Sequence, residues 1–158
     1  MDDRLEAQVG ARLLKHGWMI GTAESCTGGL VMHRLTNIPG SSAYIIGGVV
    51  AYANEVKQSI LGVQTPTLAA HGAVSAEVAL EMANGLRKLL RVDVAVSLTG
   101  IAGPGGATPT KPVGLVYIGL VAPNGVQTAR RYVFPGDREA VKAASTDAAL
   151  NLILEHLP

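Results

Sequence analysis

The 158-residue chain has one cysteine, one tryptophan, one phenylalanine and four tyrosines, and only 16% of its residues are charged. A single cysteine, Cys26, permits no intramolecular disulfide, and a reducing compartment is its simplest setting. Neither sign of charge dominates. Lys and Arg number 13 against 12 Asp and Glu, a net charge of +1, so no global field draws in a polyanion and direct nucleic-acid binding is not expected. Long hydrophobic runs are also missing: the longest apolar-or-glycine stretch, Ala43 to Ala53, covers 11 residues, against the ~20 that a spanning helix needs. Met1-Asp2-Asp3-Arg4 lacks the plan of a secretory signal, so no membrane partner and a cytoplasmic location are expected. Paired cysteines and the H-E-x-x-H spacing are absent, and His16, His33, His71 and His156 are scattered; neither a metal nor another cofactor is expected.

What is present is a composition 48% hydrophobic, with 19 glycines and 8 prolines. Such a chain can bury the core of one domain, expected over residues 1–158 and built from Val, Leu, Ile and Ala. The glycine surplus suggests strands joined by tight loops in which backbone approaches a ligand. Few charges and much apolar surface also suggest a homo-oligomer.

Leu5, Val9 and Leu13 recur at helical spacing before Gly17, which predicts a first helix ending near His16. Residues 18–23 read as a short buried strand, residues 30–35 as a helix, and residues 44–52, rich in Ile and Val, as a second buried strand. Asn54 is a candidate N-cap for a helix to about Leu61, and Ser75 for one whose stripe is Val78, Met82, Leu86 and Leu89. Alternation over residues 92–99 predicts a strand, and a long loop follows over residues 100–112. Strands at 113–122 and 127–134 then flank the hairpin signal Asn124-Gly125, and Asp137 caps a final helix. Interleaved helices and strands of this order predict an α/β fold: a three-layer α/β/α sandwich with a mixed, mostly parallel sheet ending in an antiparallel hairpin. Ligands in such sheets bind beyond the carboxyl ends of the strands.

Three strand ends carry chemistry. Ser25 lies between a strand and a helix expected to begin near Thr27 or Gly28, where unpaired N–H groups would suit a phosphate or a developing oxyanion. The residue is either an exposed nucleophile or, like Thr27, an ordinary cap; Cys26 in the same turn is either a second nucleophile candidate or a small buried hydrophobe. Lys57, about the third residue of its helix, sits where the dipole disfavours a cation. If desolvated there it becomes a general base; otherwise it is a solvated surface lysine. Tyr52 is either a core aromatic or a proton-relay partner. The loop from Gly100 to Lys111, with Gly103, Gly105 and Gly106, matches neither G-x-G-x-x-G nor the triphosphate P-loop, and supports at most a general anion cradle.

Six segments in one order carry a resemblance over nearly the whole chain: residues 22–29 (TAESCTGG), 47–57 (GGVVAYANEVK), 71–75 (HGAVS), 99–106 (TGIAGPGG), 111–114 (KPVG) and 134–138 (FPGDR). The sequence resembles the CinA C-terminal domain family, whose members are nicotinamide-nucleotide amidohydrolases. The resemblance implies hydrolysis of nicotinamide mononucleotide to nicotinate mononucleotide and ammonia. It implies Ser25 as nucleophile, Lys57 as general base, Tyr52 as an assisting hydroxyl and Thr99 as a group positioning the carboxamide. It places Thr27, Gly28, Gly29, Gly100, Gly103, Gly105, Gly106 and Arg138 around the nucleotide. Where the family commonly repeats an arginine four residues later, this chain has Lys142, and it looks like the family's stand-alone form. Two alternatives stand beside this reading: a non-catalytic nucleotide-binding module, and an interaction protein linked to competence or DNA damage.

Overall fold

In the computed structural model, which describes residues 2–158, the chain runs α1 (Leu5–His16), β1 (Ile20–Glu24), α2 (Leu30–Thr36), a 3-10 turn (Ser41–Ala43), β2 (Ile45–Val50), α3 (Asn54–Ser59), α4 (Thr65–His71), α5 (Ala76–Leu90), β3 (Val94–Gly100), β4 (Leu115–Ala122), β5 (Val126–Val133) and α6 (Arg138–His156). Local chemistry sets most boundaries. Gly17 closes α1 in the left-handed region at φ 65°, Ser75 Oγ accepts from Val78 N–H to start α5, and the Asp137 carboxylate accepts from Ala140 N–H to start α6. Asn124 and Gly125 both take positive φ, 67° and 77°, as the tight turn between β4 and β5 requires.

The sheet order is β2-β1-β3-β4-β5, with β1 parallel to β2 and β3, and β4 antiparallel to β3 and β5. One face packs Ile20, Val94, Val96, Leu98, Val116, Ile118 and Leu120 against α1, α2 and α6; on the other, Ala23 and Ala95 meet α5 through Val78, Met82 and Leu86. This is the mixed α/β sandwich that the element pattern predicts.

Several local expectations change. Residues 44–52 do not form a fully buried strand: β2 is an edge strand, and Ile46 and Val50 are half exposed. Asn54 is the first helical residue of α3 rather than its cap, so Lys57 is the fourth. Helix α2 begins at Leu30, later than Thr27 or Gly28, because Gly28 and Gly29 adopt positive φ (63° and 104°) and extend the turn after Ser25. Helix α4 is not anticipated; its residues Thr65 to His71 show no amphipathic stripe, and none of them is buried.

Candidate active site

The strand ends converge on an open cleft of about 250 Å³. Strand β1 delivers Ser25 to its floor, β3 delivers Thr99, the turn after β2 brings Tyr52, and α3 brings Asn54 and Lys57. The glycine loop supplies Gly100, Gly103, Gly105 and Gly106, and the first residue of α6, Arg138, stands at the rim.

Lys57 is only 2% exposed. Its Nζ lies 3.1 Å from Ser25 Oγ, 2.9 Å from the Ala51 carbonyl and 3.0 Å from the Tyr52 carbonyl. No carboxylate pairs with it among the described residues, and burial holds its pKa below the ordinary lysine value of 10.5, against a weaker opposing influence of Cys26. A neutral amine has two N–H groups and one lone pair. With the amine in that form, the two carbonyls would take the N–H groups and the lone pair would be left for the Ser25 hydroxyl proton. The solvated-lysine alternative is thus overturned. Ser25 itself is 8% exposed, and its N–H is fixed on the Leu98 carbonyl at 2.9 Å.

Cys26 shares the cleft wall, but burial, reinforced by Glu24, pushes its thiol up to about 11 despite the opposing charges of Lys57 and Lys142. A protonated thiol is a poor nucleophile. Tyr52 is not a core aromatic: it is 63% exposed, and Arg138 Nη2 donates to its hydroxyl at 3.2 Å while Arg138 Nη1 donates to the Gly103 carbonyl at 2.7 Å. Arg138 thereby ties the turn after β2 to the glycine loop across the mouth of the cleft. Thr99 is buried, and its hydroxyl donates to the Ala73 carbonyl at 2.8 Å. Its oxygen lone pairs remain to accept from a substrate amide.

Thr27, Gly28 and Gly29 do not line the cleft. Thr27 is buried with its hydroxyl on Glu24, and the N–H groups of Val31 and Met32 in the first turn of α2 also donate to Glu24, so the helix end is closed to a ligand. The positive-φ glycines build the turn instead. Lys111, within the expected cradle, donates to the His71 carbonyl at 2.6 Å. Asn54, Ala73 and Val74 also line the cleft; the sequence marks Asn54 only as a cap and the other two only as part of a resembling segment, because apolar side chains carry no chemical signal. No three His, Cys, Asp or Glu side chains come together among the described residues, and none of the described helices is long and apolar enough to cross a membrane.

The mixed α/β sandwich thus holds a serine hydroxyl against a desolvated lysine amine at its strand ends. The chain belongs to the CinA C-terminal domain family, whose model matches residues 2–157. It is 51% identical over 156 residues to a putative competence-damage inducible protein of Moorella thermoacetica, covering 99% of this chain and 37% of that protein. It is 53% identical over 159 residues to a CinA-like protein of Chloroherpeton thalassium, covering 99% and 38%. The chain therefore spans little more than a third of these curated relatives. Among solved structures, it superposes on the competence/damage inducible protein CihA from Agrobacterium tumefaciens with a TM-score of 0.93 at 41% identity, covering 96% of this chain and 92% of that one. The competence damage-inducible protein A (ComA) of Klebsiella pneumoniae gives 0.93 at 37% identity, with 97% and 94% covered.

Proposed function

We propose that the chain is an amidohydrolase that converts nicotinamide mononucleotide to nicotinate mononucleotide and ammonia through a Ser25 nucleophile and a Lys57 general base. The reaction type rests on one observation, the 3.1 Å approach of a desolvated Lys57 amine to Ser25 Oγ. The choice of substrate rests on the resemblance carried by the six sequence segments.

Lys57 takes the Ser25 proton as Oγ bonds to the carboxamide carbon, and the carbonyl electrons move to oxygen. The Ser25 and Gly28 N–H groups are committed to the Leu98 and Ser25 carbonyls, and of the rest of the turn only Cys26 lines the cleft, which leaves its N–H as the donor of this turn to the oxyanion. Collapse breaks the C–N bond, and the proton on Lys57 passes to the departing nitrogen, so that ammonia leaves. Water then attacks the nicotinoyl ester, giving its proton to Lys57, and the acid is released as Ser25 Oγ recovers a proton. Thr99 accepts from the substrate amide before cleavage, and Arg138 holds the phosphate in bidentate fashion.

Ammonia release from nicotinamide mononucleotide tests the scheme. Ser25→Ala is expected to reduce it by a factor of 10³ or more, roughly what loss of an activated nucleophile costs, while Cys26→Ala leaves it largely intact. Retained activity in Ser25→Ala would end the proposal. Saturable nucleotide binding by the wild type without ammonia release would identify a binding module instead.

A further inference from the structure

Strand β1 ends in a charged side chain where an apolar one is expected. Glu24 is 1% exposed, precedes Ser25 directly, and forms no ion pair among the described residues. Burying a carboxylate without a cation is costly unless hydrogen bonds replace its water. Four do. Oε1 accepts from Thr27 Oγ1 at 2.6 Å and Val31 N–H at 3.0 Å, and Oε2 accepts from Thr22 Oγ1 at 3.2 Å and Met32 N–H at 3.1 Å. One side chain thus clamps the strand before Ser25, the turn after it and the first turn of α2. The same residue's carbonyl accepts from Ala51 N–H at 2.8 Å, and the Ala51 carbonyl in turn accepts from Lys57 Nζ. Both members of the Ser25–Lys57 pair hang on segments that Glu24 joins.

The turn contains two positive-φ glycines, which carry no side chain to fix it; of its other residues Cys26 packs into the core, and the hydroxyl of buried Thr27 is held by Glu24. An aliphatic residue at 24 would satisfy the strand but leave the Thr27 hydroxyl and the Val31 and Met32 N–H groups without this acceptor. We infer that Glu24 is a positioning residue: its carboxylate, through Thr27 and α2, locks the Ser25 turn so that Oγ meets the Lys57 lone pair. The inference rests on the Ser25 nucleophile of the proposed function, but not on the identity of the substrate.

The test uses the whole chain and a serine-directed fluorophosphonate, followed by intact mass. Ser25 Oγ bonds to phosphorus, the P–F bond breaks with loss of fluoride, and the hydroxyl proton goes to Lys57, so the labelling rate reads alignment of the pair without any nucleotide. Thr27→Val keeps shape and removes the shortest of the four hydrogen bonds; labelling is expected to slow about tenfold, with Thr27→Ser restoring it, because small misplacements of a nucleophile carry large rate losses. Glu24→Gln sets an amide N–H against another N–H donor and is expected to slow labelling about 100-fold. Should Glu24→Gln not fold, the threonine pair decides. Fold maintenance alone would lower melting temperatures yet leave the rates of folded variants, measured well below melting, unchanged; that result overturns the inference. Wild type labelled at Ser25 but releasing no ammonia from nicotinamide mononucleotide defeats the substrate assignment only. Wild type unlabelled at Ser25 defeats both readings.

Discussion

Lys57 Nζ sits 3.1 Å from Ser25 Oγ with its other two hydrogen bonds on the backbone carbonyls of Ala51 and Tyr52. Nothing anionic faces the amine, so burial makes its protonated form costlier here than in water. A structural lysine has the opposite surroundings, a carboxylate or open water.

Lys57→Arg separates charge from basicity. Guanidinium stays protonated throughout the working range, so the variant sets a permanent cation beside Ser25 and loses the base. Ammonia release is expected to fall by about 10³-fold or more, measured as kcat/KM. Activity close to wild type would mean that a positive charge suffices.

Arg138 makes a different prediction because it touches the cleft only at its rim, through Tyr52 and Gly103. Removing a charge-assisted hydrogen bond costs about 1.5–3 kcal/mol. Arg138→Ala should therefore raise KM for nicotinamide mononucleotide roughly 10- to 150-fold. Nicotinamide riboside, which lacks the phosphate, should be turned over equally well by both proteins; equal damage to both substrates would assign Arg138 to holding Tyr52 instead.

The fold was legible because its signals are local. Gly17, Ser75, Asp137 and Asn124-Gly125 each fix a boundary through their own backbone or side chain, and each does so in the structure. What could not be read depends on neighbours distant in sequence. The exposure of β2 follows from its lying outside β1, a matter of strand order, and α4 has no buried face to mark it. At the site, Ser25 and Lys57 are visible as strand-end chemistry, whereas Thr27 reads as a ligand contact because residue 27 or 28 reads as a helix start; in the structure α2 starts at Leu30 and the Thr27 hydroxyl donates to Glu24, three residues back. The glycines divide likewise: those of the loop line the cleft, while Gly48 lies where a Cβ would come 2.5 Å from Thr22 Oγ1, a packing constraint invisible in composition.

Tyr44 carries a stability prediction. Its ring is 1% exposed and its hydroxyl is buried without a hydrogen-bond partner among the described residues, which also lifts its pKa above 10.0. An unsatisfied buried hydroxyl costs free energy that phenylalanine avoids while keeping the ring's packing. Tyr44→Phe should stabilise the chain by about 1 kcal/mol, about 2–4 °C in Tm for a protein of this size. Thermal or denaturant unfolding checks it, and a loss of stability would reveal a partner for the hydroxyl.

The pH dependence follows from the direction of the Lys57 shift. The base must be neutral to act, so kcat/KM should fall as pH drops through its folded pKa, and the acid limb should be centred below the ordinary value of 10.5. Stability is linked to the same proton. Between the lowered folded pKa and the unfolded value near 10.5, the unfolded chain binds more protons at this position than the folded one, and unfolding free energy rises with pH there. Below that window both states are protonated and the native state bears the full cost of burying the ammonium; above it that cost is gone. Lys57→Met lacks the titrating group. The stability of wild type relative to Lys57→Met should therefore increase as pH is raised through this window, as denaturant unfolding at a series of pH values would record. A difference that stays flat, or moves against wild type, would mean that Lys57 holds its proton in the folded protein as readily as in water and cannot serve as the base.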